Sequence, residues 1–132
     1  WDITVVDDYA HHPTEIAATL DVANNYPHKH LYVVFQPHTY TRTRAFLNDF
    51  ARVLQKAEHV IITDIYAARE KDPGDISSKN IVELMAAAGK DTLYMKDFTE
   101  IANYLKANAS DGDLIITMGA GNVNQIADIL LG

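Results

Sequence analysis

Ile3-Thr4-Val5-Val6, then Asp7-Asp8-Tyr9-Ala10-His11-His12, then Pro13: a β-branched run, a polar loop and a residue suited to a first helical turn follow one another without a gap. The helix that Pro13 opens carries Ile16, Leu20 and Ala23 on one face and stops near Tyr26-Pro27. The same order recurs downstream. Leu31-Tyr32-Val33-Val34-Phe35 runs into Gln36-Pro37-His38, then a helix with Phe46, Phe50, Val53 and Leu54 at helical spacing. His59-Val60-Ile61-Ile62-Thr63-Asp64 precedes a polar loop from Tyr66 to Ser77, after which Ser78 opens a helix bearing Ile81, Leu84, Met85 and Ala88, closed by Gly89. Thr92-Leu93-Tyr94-Met95 is a short fourth strand, followed by a helix capped by Asp97 and carrying Phe98, Ile101, Ala102 and Leu105. Leu114-Ile115-Ile116-Thr117 leads through Gly119-Ala120-Gly121-Asn122 into a last helix with Val123, Ile126, Ala127 and Leu130. Near-continuously apolar strands alternating with helices predict a parallel sheet covered on both faces. The expected fold class is α/β, a Rossmann-like three-layer domain with a mainly parallel sheet, spanning residues 1–132 as one domain.

Composition narrows the function classes. The 132 residues are 48% apolar and 22% charged, ordinary for a globular chain that buries its own core. No cysteine is present, so neither a disulfide framework nor a thiolate metal site can form. A net charge of −7 disfavours a nucleic-acid partner. The apolar runs are too short to span a bilayer and no cleavable signal opens the chain, so the cytoplasm is the expected compartment. The chain starts at Trp1-Asp2, directly on a strand, and reads as a piece of a longer polypeptide.

In a parallel sheet of this kind, ligands bind at the carboxyl ends of the strands. Asp7 to His12, Gln36 to Arg44, Asp64 to Glu70 and Gly119 to Asn122 all fall there, whereas Asn24 to Lys29, Lys90-Asp91 and Ala109 to Gly112 read as plain turns at the other edge. Asp7 and Asp8 have capping of the Pro13 helix as an alternative to ligand binding. One of His11 and His12 also suits that cap. Arg42 and Arg44 stand near a helix start, against its dipole, where an anion would give them a reason; the alternative is solvation, more so for Arg44. Gly119-Ala120-Gly121 suits either a phosphate turn or a tight strand-to-helix connection. No G-x-x-x-x-G-K-[ST] is present, so any nucleotide would be shared with another domain.

Asp7-Asp8-Tyr9-Ala10-His11-His12-Pro13-Thr14-Glu15 resembles the opening of the C-terminal domain of the Mur ligases, which build the peptide stem of bacterial peptidoglycan. Phe35-Gln36-Pro37-His38-Thr39-Tyr40-Thr41-Arg42-Thr43-Arg44, Tyr66-Ala67-Ala68-Arg69-Glu70 and Met118-Gly119-Ala120-Gly121-Asn122 are similar to further motifs of that family, in the same order. The paired histidines and the second motif most resemble the members that join L-alanine to UDP-N-acetylmuramate. The resemblance implies a three-domain ligase in peptidoglycan precursor synthesis that activates a carboxylate as an acyl phosphate with ATP and Mg²⁺. Both would be bound mainly by a central ATPase domain outside this chain. It implies that Tyr9, His11, His38 and Arg42 receive L-alanine, Arg42 meeting its carboxylate and His38 acting near its amine as the catalytic residue. It also implies that Asp7 or Asp8 reaches the ATP ribose, and that no metal ligand lies within the chain. Many relatives have Arg where this chain has Thr39, and Arg44 or a water is a candidate to compensate. The fragment alone is expected to be inactive.

Two other activities compete. One is the related ligase that attaches a tripeptide to the same UDP-sugar in cell-wall recycling. The other is a metal-dependent phosphohydrolase using Asp7, Asp8, His11, His12, His38 and Asp64 as ligands of a dinuclear centre. A phospho-receiver built on Asp7-Asp8 and Asp64 lacks the lysine it needs after the fifth strand.

Overall fold

In a computed structural model, which describes residues 2–132, β-branched and aromatic runs form a five-stranded sheet, all of whose pairings are parallel. What was expected of Trp1 lies outside the described residues. The elements in chain order are β1 (Thr4–Asp8), α1 (Pro13–Asn25), β2 (Leu31–Phe35), α2 (Tyr40–Ala45), α3 (Leu47–Val53), β3 (His59–Ile62), α4 (Ser78–Ala87), β4 (Leu93–Tyr94), α5 (Phe98–Asn108), β5 (Leu114–Met118) and α6 (Gln125–Leu131). A 3-10 turn over Leu54–Lys56 follows α3. The strand order is β1-β5-β2-β3-β4. β5 therefore sits between β1 and β2, and its carboxyl end opens between theirs.

Alternation along the strands sorts the core into two layers. Leu31, Val33 and Phe35 of β2 point to one face and pack with Ile16 and Leu20 of α1, Phe50 of α3, and Ile81 and Met85 of α4. Tyr32 and Val34 point to the other, where Ile101 and Leu105 of α5 and Ile126 and Leu130 of α6 cover them. Each of these nine helical side chains is at most 6% exposed, which is why the central strands read as unbroken apolar runs. The expected α/β three-layer fold is the one observed.

Two local readings change. The single helix expected after His38 is two, α2 and α3, meeting at Phe46, whose φ of −115° and ψ of 22° leave helical geometry. α4 opens at Ser78 as expected, behind Ser77, which forms a capping box with Asn80; Ser78 is buried and its hydroxyl donates to the carbonyl of Thr63. β1 runs on through Asp7 and Asp8, so both carboxylates stand on the strand end. Asp97 caps α5 as expected, accepting from the N–H groups of Thr99 and Glu100.

Candidate functional site

The loop after β1 is held by its own polar side chains. Oδ1 of Asp8 accepts from the Ala10 N–H at 2.7 Å and Oδ2 from the Thr19 hydroxyl at 3.1 Å, tying the strand end to α1. Asp7 points to the opposite face, where it accepts from the Thr117 hydroxyl at 2.7 Å and is otherwise exposed. Neither aspartate caps α1. That role falls to His12, whose Nδ1 accepts from the Thr14 N–H at 3.2 Å while Glu15 reaches back to the His12 N–H at 3.1 Å. Hydrogen bonds from the backbone N–H groups of His11 and His12 hold the Glu15 carboxyl below its usual range. The His12 ring is used up on packing edge-on against Phe46, 4.9 Å between centroids. His11 is left facing the site.

The loop after β2 supplies the central pair. Nη1 of Arg42 lies 2.9 Å from Nδ1 of His38. Arginine only donates, so His38 Nδ1 is the acceptor and its proton sits on Nε2. Burial, then the charge of Arg42, pushes the His38 pKa down, which keeps the ring neutral as this geometry requires. Arg42 meets an imidazole and no carboxylate among the described residues, whereas Arg44 is paired with Asp75 and Arg52 with Asp49. Arg44, the candidate to compensate for Thr39, is paired with Asp75 at the exposed surface. Thr39 itself adopts φ 65° and ψ 149°, a conformation that costs a non-glycine residue about 1–3 kcal/mol. It is held there on three sides. Its N–H donates to the Tyr66 carbonyl at 2.8 Å, its carbonyl accepts the Thr43 hydroxyl at 2.7 Å, and its hydroxyl accepts from the Arg42 N–H at 3.2 Å.

The loops after β3 and β5 close the site, through residues to which sequence assigned no individual role. The Tyr66 ring stacks on His38 at 5.7 Å and 21°, and the Tyr66 N–H donates to the Pro37 carbonyl. Glu70 accepts from the N–H groups of Tyr40 at 2.6 Å and Thr41 at 3.0 Å and from the Thr41 hydroxyl, so it anchors the start of α2 and with it Arg42. The bonds from Thr41 are the main reason its pKa is lowered. Gln36, 4% exposed, clamps the β5 turn: its amide donates to Asn122 Oδ1 at 2.8 Å, and its Oε1 accepts from the N–H groups of Asn122 at 3.0 Å and Val123 at 3.2 Å. A Cβ on Gly121 would lie 2.5 Å from both Gln36 Oε1 and Tyr66 Cγ, so only glycine lets these two loops touch. The turn is a tight connection.

The four loops thus converge on His38. His11 lies 5.8 Å from it between ring centroids, Tyr9 packs edge-on to His11 at 5.7 Å and is 70% exposed, and Arg42 and Tyr66 flank the imidazole. The candidates Tyr9, His11, His38 and Arg42 form one continuous group; Asp7 and Asp8 diverge. The residues of the dinuclear-metal reading do not gather as a ligand set: His12 is a cap, Asp8 a turn anchor, and Asp64 accepts from the Tyr94 hydroxyl, pushing that phenol up to about 12. An apolar groove of about 440 Å³ along β1 and α1, lined by Val6, Val22 and Tyr26, includes Asp8 but none of the His38 group. No helix is long and apolar enough to cross a membrane among the described residues.

Residues 1–121 match the family model described as Mur ligase, glutamate ligase domain. The chain is 58% identical over 129 residues to the UDP-N-acetylmuramate–L-alanine ligase of Caldanaerobacter subterraneus subsp. tengcongensis, covering 98% of this chain and 28% of that protein. It is similar to the crystal structure of the UDP-N-acetylmuramate–alanine ligase of Thermotoga maritima, with a TM-score of 0.75, 27% identity, and coverage of 98% of this chain and 26% of that one. A murein peptide ligase of Psychrobacter arcticus gives a TM-score of 0.75 at 25% identity, over 98% of this chain and 27% of that one. The chain spans under a third of the length of the curated relative named above.

Proposed function

Since the chain belongs to the family of Mur ligase glutamate ligase domains, we propose that it is the C-terminal, amino-acid-receiving domain of a three-domain, ATP-dependent UDP-N-acetylmuramate–L-alanine ligase acting in the cytoplasm. The observation that carries the reading is the Arg42–His38 pair: a half-buried arginine resting on a neutral imidazole, with no carboxylate of its own chain to hold among the described residues. Such a guanidinium is a receptor for an incoming carboxylate, a stronger charge-assisted partner than the imidazole it now touches. When Arg42 turns to the alanine carboxylate it frees His38 Nδ1. That nitrogen then accepts the proton the attacking amine loses as the amide forms, in a role its depressed pKa suits only modestly, so orientation of the amine is its larger contribution. Tyr9 and His11 supply the exposed wall of the same recess, ready to be covered when a second domain closes and excludes water.

ATP and Mg²⁺ belong chiefly to the central ATPase domain in this reading. The chain has no P-loop. Asp7 and Asp8 point to opposite faces of β1 and do not form a joint cation cradle. Asp7 is the better partner for the ribose hydroxyls, since Asp8 spends both oxygens on Ala10 and Thr19 while Asp7 keeps one free. Only hydrogen-bond acceptance is asked of it. The recycling ligase that takes a tripeptide is not favoured, because the curated relatives at 58% and 55% identity are named alanine ligases; the solved structures, at 27% and 25% identity, match both kinds about equally.

The test is Arg42→Ala in the full-length enzyme. Loss of a charge-assisted carboxylate contact is worth about 1.5–3 kcal/mol, so the alanine KM rises by roughly tenfold or more while the KM for ATP stays in place. An unchanged alanine KM overturns the assignment of the carboxylate contact.

A further inference from the structure

The edge of the sheet opposite the site carries a second gathering of imidazole and carboxylate groups, to which the sequence reading assigned no role. His30 lies just before β2 and His59 opens β3, and the parallel register pairs Tyr32 with His59, which brings the two histidines side by side. Glu58 reaches across both. Its Oε2 is 2.8 Å from His30 Nδ1 and 3.4 Å from His59 Nε2, while its Oε1 accepts from the Leu31 N–H at 3.3 Å and so fixes the carboxylate plane. The three donor atoms all lie within 4.8 Å of one another, and this is the one such set of three among the described residues. Each ligand has a support. The His59 ring stacks on Tyr32 at 4.6 Å, and the His30 backbone N–H is held by Asp113 at 3.1 Å.

We propose that His30, Glu58 and His59 bind a divalent transition-metal ion of the zinc class, stapling the start of β2 to the start of β3. Two imidazoles and one carboxylate are a donor set zinc accepts, with water completing the tetrahedron. Ligand atoms about 2.0–2.1 Å from a tetrahedral centre stand roughly 3.3 Å apart, and the two separations from Glu58 Oε2 lie to either side of that. The ion would take the place of the proton now shared between His30 and Glu58. Asp113 adds negative charge beside the site and Lys29 opposes it. All three side chains are exposed, so an ion and its waters reach them from solvent. Magnesium, which prefers oxygen ligands, has little use for two imidazoles, so this site is separate from any metal used in ligation.

Titration calorimetry of zinc chloride into the chain at neutral pH tests this, with His59→Ala, Glu58→Gln and His11→Ala variants alongside. The proposal expects one saturable equivalent on the wild-type chain, weakened by roughly tenfold or more in His59→Ala and Glu58→Gln and unchanged in His11→Ala. The thermal midpoint should rise with zinc in the wild-type chain and not in His59→Ala. Absence of saturable binding, binding that survives His59→Ala, or binding lost on His11→Ala overturns it. The replaced side chains are exposed or half-buried, and circular dichroism of each variant verifies the fold before titration.

Discussion

Replacing Gln36 by methionine keeps the volume of a buried side chain and deletes the polar atoms that hold the turn after β5. Three hydrogen bonds go: Nε2 to Asn122 Oδ1 at 2.8 Å, and those from the N–H groups of Asn122 and Val123 to Oε1 at 3.0 and 3.2 Å. At about 1 kcal/mol each, the loss is roughly 3 kcal/mol. Val123 is fully buried, so its N–H has little access to replacement water and the cost falls toward the upper end. An unfolding entropy of about 2.1 cal/mol/K per residue gives ~0.28 kcal/mol/K for the 132-residue chain, so the thermal midpoint should drop by roughly 10 °C. Circular dichroism melts of Gln36→Met, Asn122→Ala and the double variant are the assay. Because the two side chains share a bond, the double variant should melt above the value expected from adding the single losses. A drop of under about 3 °C for Gln36→Met would refute the clamp, since less than one hydrogen bond would then be at stake.

Protonation gives two further checks. Burial lowers the His38 pKa below 6.5 in the folded chain, so the unfolded chain binds that proton more readily; stability contributed at this position rises with pH up to about 6.5 and falls below it. His30 is shifted the other way by its hydrogen bond to Glu58, so its contribution is full below 6.5 and is lost as pH rises through its raised folded value. Urea titrations between pH 5 and pH 8 should therefore lose a positive slope in His38→Gln and a negative one in His30→Gln; slopes identical to wild type would contradict both environments. For Tyr94, the bond to Asp64 and burial push the phenol up to about 12. Burial also raises the Tyr32 and Tyr40 phenols, so in tyrosinate absorbance Tyr94 is the component whose late titration disappears in Tyr94→Phe and moves down in Asp64→Asn; no late component lost in Tyr94→Phe would discard the bond.

Strand order of burial was readable because β2 and β5 are covered on both faces and so consist of unbroken apolar residues. The break at Phe46 was not, because Phe46, Phe50 and Val53 keep helical spacing across it while only the backbone departs. Of the site, Tyr9, His11, His38 and Arg42 stood out as chemistry-bearing residue types in strand-end loops, and they do meet. Gln36, Tyr66 and Glu70 were inside quoted motifs but had no role, since a side chain that anchors another loop gives no signal until that loop's position is known. Asp7 and Asp8 looked equivalent in sequence. Their separation follows from strand alternation, which sends one to Thr117 and the other to Thr19. The His30–Glu58–His59 cluster escaped for the same reason as Glu70, since its members are brought together by register between β2 and β3.

The central claim is that Arg42, His38, His11 and Tyr9 form the amino-acid-receiving half of an amide-forming site. Amino-acid-dependent release of ADP by the full-length protein, with UDP-N-acetylmuramate and ATP supplied, tests it most directly. The account predicts turnover with L-alanine and none with the stem tripeptide. Turnover with the tripeptide and none with L-alanine would contradict it.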